Sequence, residues 1–158
     1  MSHAEIGIDS LPSAWQRTAK SRLRFELAGL AFARQKGFRP EDYAQHLWGK
    51  GAQRWMDKAT PTAAEYLLKE AHAFKQFYPE VSFTVAEASD ERAELVFTEG
   101  CLGGAGRDRW VLARSLGLTK EDVCAYCQEA FSVWAGQLSL CACIGPEDEI
   151  CRLLVVKR

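Results

Sequence analysis

The hydrophobic repeat changes period near residue 80, from about four to two, and no other feature of the chain limits its fold as much. Before that point apolar residues recur at steps of three and four. Trp15, Leu23, Leu27, Leu30 and Ala31 mark a first helix from Leu11 to Gly37, with Ser10 as cap and Pro12 in the first turn. Tyr43, Leu47, Ala52, Trp55 and Met56 mark a second from Pro40 to Lys58, weakened by Gly49 and Gly51. Thr60 and Pro61 open a third, which continues through Tyr66, Leu67, Phe74 and Phe77 to Pro79. After Pro79 the residues alternate. Val81, Phe83 and Val85, then Leu95 and Phe97 beyond a turn at Ser89-Asp90-Glu91, read as a β-hairpin.

Helical spacing returns from Asp108 to Leu116, closed by Gly117, and from Lys120 to about Trp134 behind a Thr119 cap. Leu138 to Ile144 and Glu149 to Lys157 form a second hairpin around Gly145-Pro146-Glu147-Asp148, a turn-forming sequence. The order ααα-ββ-αα-ββ predicts an α+β fold, a four-stranded antiparallel sheet covered by helices. With 158 residues the chain suits a single domain, 1–158, with a helical half at 1–79 and a half at 80–158 in which two hairpins flank two helices.

Charge and hydropathy exclude some functions. Twenty basic residues against 21 acidic leave no surplus to neutralise a phosphate backbone, so no nucleic-acid partner is expected. No apolar run approaches the ~20 residues that span a bilayer, and the first ten residues do not read as a signal peptide. A cytoplasmic location follows as an expectation. There, six cysteines stay reduced and point to metal binding or thiol chemistry.

All six lie beyond residue 100. Five make the run C-x2-C-x13-C-x-C-x7-C: Cys124, Cys127, Cys141, Cys143 and Cys151. Three residues apart on a helix, Cys124 and Cys127 share nearly one face. Cys141 and Cys143 share one face of a strand. A hairpin centred on Glu147 would set Cys143 directly opposite Cys151, with Cβ atoms about 5 Å apart. These five are the candidate ligand pool for zinc, which favours four tetrahedral thiolates, or for iron. Without a metal they are small buried core residues, or reactive thiols in a redox protein.

Cys101 stands apart in Cys101-Leu-Gly-Gly-Ala-Gly106, where glycines let backbone amides approach an anion or carbonyl, and it is a candidate nucleophile; an ordinary glycine-rich connection is the plainer reading. Arg109, Trp110, Tyr126 and Trp134 are the candidate ligand-binding residues: aromatic rings can line a cavity, and Arg109 or Arg114 can hold a carboxylate in two-pronged fashion. Otherwise Arg107, Asp108 and Arg109 read as a solvated helix start, and His46 and His72 as surface or satisfied core residues.

Val123-Cys124-Ala125-Tyr126-Cys127, the strand carrying Cys141 and Cys143, and Cys151-Arg-Leu-Leu-Val-Val resemble two groups. These are the small-molecule-binding domain of the 4-vinyl reductase type and the L-2-amino-thiazoline-4-carboxylic acid hydrolase-like family. The resemblance spans Glu99 to Lys157, just over a third of the chain. The first group implies a zinc held near the closing hairpin by cysteines and a glutamate, a hydrophobic ligand cavity and a homodimer. Its last two cysteines have the spacing of Cys143 and Cys151. Leu140 stands where its glutamate would be, with Cys141 as the substitute and Cys124 or Cys127 as the fourth ligand. The second group implies opening of a thiazoline ring with cysteine or metal assistance; Glu99, Asp122 and Glu129 are the acids nearest to a general-base position. The combined expectation is a sensor-like small-molecule binder with a structural zinc. A hydrolase acting on a small cyclic substrate and a metal-free thiol protein are the alternatives.

Overall fold

The computed structural model describes residues 10–99, 107–147 and 150–158. The elements run α1 (Leu11–Gln35), α2 (Pro40–Trp48), α3 (Ala52–Met56), α4 (Ala63–Phe77), β1 (Phe83–Ala88), β2 (Arg92–Phe97), α5 (Arg107–Ser115), α6 (Lys120–Gly136), β3 (Leu140–Glu147) and β4 (Ile150–Lys157). In α5 the side chains are described from Arg109 onward. All four strands pair antiparallel in one open sheet, order β1-β2-β4-β3. The protein is therefore α+β, with helices over one face of a four-stranded sheet, as the change of period predicts.

The expected second helix is two. Gly51 takes a left-handed conformation with φ 105° at the N-cap of α3, and Asp57 ends α3 at φ 57°. A glycine reaches that backbone region without the Cβ penalty, so the chain turns between Trp48 and Ala52 where a continuous helix cannot. The α4 cap also moves, from Thr60 to Thr62. The Thr62 hydroxyl accepts from the Glu65 amide, and the Glu65 carboxylate accepts from the Thr62 amide. Thr119 and Asp122 form the same reciprocal box at α6, each box being worth about 1 kcal/mol.

Two apolar clusters hold the layers together. Helix α4 lies over β2 and β4, and α6 over β3. Between them Leu67, Phe74, Leu95, Phe97, Leu140, Leu153 and Val155 are buried, at roughly 1.5–3 kcal/mol for each large side chain. Leu27, Leu30, Ala44, Leu118, Val123 and Tyr126 form the second cluster, which joins α1, α2 and α6. Helix α6 contributes to both.

The closing hairpin departs from its expected register. β3 continues through Gly145 and Pro146 to Glu147, which pairs with Ile150. Pro146 is tolerated because β3 is an edge strand. Cys143 consequently faces Leu154, and Cys151 faces Pro146. Shifting a strand by an odd number of residues exchanges its faces. Cys151 lies on the helix-covered face with Leu153 and Val155, whereas Cys141 and Cys143 are exposed on the other.

Candidate functional site

Where the two clusters meet, the packing leaves a cavity of about 240 Å³, room for about eight water-sized groups at ~30 Å³ each. Its walls come from all six helices and from Tyr78, and they are largely aromatic.

One end carries a connected set of polar side chains. Tyr126 Oη donates to Glu26 Oε1 at 2.6 Å and accepts from Trp48 Nε1 at 2.9 Å. Arg22 lies one helical turn before Glu26, with Nη1 3.2 Å from Oε2; the approach is an ion pair without hydrogen-bond alignment, since neither atom has a hydrogen-bond partner. The Arg22 guanidinium also sits 4.2 Å from the centre of the Phe77 ring. Burial pushes the Tyr126 phenol far above its ordinary range, with the Glu26 charge adding to it. The Tyr78 hydroxyl rises to about 12 through burial and then Glu26, opposed by Arg109 and Arg22. Burial draws the Arg22 guanidinium down, but Glu26 and Tyr78 more than offset this and it ends raised.

The other end is different. Glu70 on α4 is 7% exposed and lines the cavity. Tyr66 and Phe74, one turn to either side of it, are buried. Burial raises the Glu70 carboxyl from an ordinary 4.5 to about 7. The Tyr66 hydroxyl is buried beside it without a well-formed hydrogen bond, yet near enough to pull the carboxyl partly back down. Among the described residues Glu70 has no ion pair. Trp55, Trp134, Phe74 and Phe131 line the same cavity, with ring contacts between Trp55 and Trp134 and between Phe74 and Phe131, each with centroids 5.7 Å apart.

Known protein families, characterised proteins and solved structures offer no match to the chain. Its chemistry is therefore read from the residues alone.

Of the ligand-binding candidates, the fold brings Arg109, Tyr126 and Trp134 to this cavity. Arg109 is 2% exposed, which corrects its reading as part of a solvated helix start: α5 turns it inward against Tyr78 and the helical core. Trp110 lines an adjoining crevice of about 30 Å³ together with Arg109, Cys124, Cys127 and Cys151, and Cys127 borders both spaces. Cys101 lies outside the described residues. The three acids singled out as possible bases are elsewhere: Glu99 is exposed, Asp122 caps α6 and pairs with Arg34 at 2.9 Å, and Glu129 accepts from Gln45. His46, His72 and Arg114 are exposed.

The residues do not fit the zinc site centred on the last hairpin. Cys143 and Cys151, its two defining ligands, open on opposite faces of the sheet, and Leu140 is fully buried in the core. Among the described residues no group of three or more His, Cys, Asp or Glu side chains is disposed to hold a metal ion. Cys141 and Cys143 remain neighbours; partial burial and then Cys141 raise the Cys143 thiol.

Arg22, Glu26 and Glu70 are the site residues that sequence reasoning passed over. Their signal was present. Glu70 interrupts the buried stripe Ala63, Tyr66, Leu67, Ala71, Phe74, and Arg22 and Glu26 flank Leu23 and Leu27 within the apolar part of α1. A charge inside an apolar stripe is an expensive placement and marks either a pairing or a site.

Proposed function

We propose that this domain binds a small, mostly apolar molecule in the cavity among its helices. The observation that carries the proposal is the combination of an aromatic enclosure with a few converging charged groups, Arg22, Glu26, Glu70 and Arg109, drawn from three different helices. A cavity that served only as a packing fault would be expected to be lined by apolar atoms alone. At about 240 Å³ it suits a ligand with one ring or a short branched chain. No helix among the described residues is long and apolar enough to cross a membrane.

A hydrolase is the second reading, and one observation favours it. A carboxyl titrating near 7 can exchange a proton at working pH. Both readings place the ligand in the same space.

Ala73 provides the test, because it lines the cavity from a partly exposed position on α4. Ala73→Trp is expected to fill the mouth while leaving the fold intact by circular dichroism. Screening single-ring compounds by the fluorescence of Trp48, Trp55 and Trp134 should give saturable responses in the unmodified protein that this variant lacks. Equal responses in both proteins would remove the cavity from consideration. Recovery of the bound compound unchanged separates binding from hydrolysis.

A further inference from the structure

We infer that the ligand is a small organic cation, an aromatic or alkyl ammonium held between the Glu70 carboxylate and the rings of Trp55 and Trp134. This rests on the cavity being a ligand site and adds the class of molecule that fits it.

The ring geometry is the first argument. Trp55 and Trp134 are inclined at 59°, Trp134 and Trp48 at 85°, and Trp55 and Tyr66 at 74°, with centroids 5.6 to 6.2 Å apart. Rings inclined this steeply do not stack, and three of them, Trp48, Trp55 and Trp134, line the cavity as a box of tilted and edge-to-face rings with Tyr66 behind Trp55. The face of an indole is negative, and boxes of such faces hold ammonium groups. Trp55 already shows this preference toward Lys69, whose Nζ is 5.3 Å from its ring centre; Lys69 also pairs with Asp57 at 3.5 Å and is not part of the cavity lining.

Charge placement is the second. Glu70 is a buried carboxyl that lines the same cavity, and Tyr66 links it to these rings: its hydroxyl is the polar neighbour of Glu70 and its ring centre lies 6.2 Å from that of Trp55. The positive groups of the cavity act at the opposite end: Arg22 and Arg109 both bear on Tyr78, and neither bears on Glu70. Arg22 is occupied by Glu26. An anion at the box would meet a carboxyl and ring faces, which repel it. A neutral molecule would leave the carboxyl uncompensated once it ionises. A cation satisfies both, and its arrival holds Glu70 in the charged form.

Three ligands of nearly one shape decide the matter: benzylammonium, benzyl alcohol and phenylacetate, titrated calorimetrically at pH 8 into the unmodified protein, Glu70→Gln and Ala73→Trp. Benzylammonium is expected to bind the unmodified protein at least about tenfold tighter than the alcohol and to outrank phenylacetate. Glu70→Gln should reduce that preference to about twofold or less while still binding the alcohol, and Ala73→Trp should abolish all three. The ranking in the unmodified protein needs no variant, so it stands even where a substitution disturbs folding. Equal affinities, or preference for phenylacetate, would overturn the cation and leave the cavity reading intact. No binding of any of the three, with Ala73→Trp indistinguishable, would overturn both.

Discussion

The two ends of the cavity use charge in opposite ways. At the α1 end Glu26 receives a 2.6 Å hydrogen bond from Tyr126 and lies against Arg22, so its burial is compensated within the fold. At the α4 end Glu70 is more deeply buried and has a tyrosine hydroxyl in poor alignment. A compensated buried charge fixes the positions of helices; an uncompensated one costs stability and persists where something outside the fold completes it. The first end fixes the helices that wall the pocket, and in the proposed reading the second is where the ligand's charge is met.

The largest expected effect breaks this contrast at Glu70. Its carboxyl titrates near 4.5 in an ordinary setting and near 7 in the fold, so the folded state holds the proton more firmly. The associated stability is fully present below about pH 4.5 and is lost as pH rises through about 7, on the order of 3 kcal/mol in all. Urea unfolding of the unmodified protein and of Glu70→Gln at pH 5.5 and 8.5 should show this component in the first and not in the second, with the variant the more stable at pH 8.5.

Tyr126→Phe probes the compensated end. Removing a donor to a carboxylate and an acceptor for Trp48 Nε1 is expected to cost about 2 kcal/mol, and by the same unfolding measurement the cost should be similar at pH 6 and 8. A cost that followed the Glu70 titration would join the two ends into one network. Thr62→Ala sharpens the picture from outside the cavity: losing the α4 cap should cost about 1 kcal/mol without changing the pH profile. The smallest effect is expected from Cys141→Ser with Cys143→Ser. On the open sheet face the pair should contribute less than about 0.5 kcal/mol, and a loss of several kcal/mol on chemical unfolding would mean that these thiols hold the fold together.

Much of the architecture was legible in the sequence because it depends on period. The alternation Val81, Phe83, Val85 and the helical spacing through Tyr66, Leu67 and Phe74 report burial directly, and both hairpins and the helices between them follow. Register was not legible to the same degree. Gly145-Pro146 reads as a turn, yet on an edge strand nothing prevents proline from continuing the extended backbone, and the register is displaced as β3 runs on to Glu147. That displacement moved Cys151 to the other face and parted it from Cys143, so an argument from spacing alone failed over an odd shift. Within the site, Tyr126 and Trp134 were accessible as an aromatic helix face. Arg22, Glu26 and Glu70 were harder to find, because tertiary packing and not local pattern decides whether a charged residue in a helix points to water or inward.

The protonation state of Glu70 is what separates the two ends of the cavity. Carbon-13 labelling of glutamate with assignment through Glu70→Gln allows its carboxyl to be titrated by NMR in the protein alone and with benzylammonium. A midpoint near 7 in the protein alone, falling well below that when the ammonium is present, is the expected result. A midpoint in the ordinary carboxylate range without ligand, or one that benzylammonium leaves unmoved, would contradict a buried carboxyl that a cationic ligand completes.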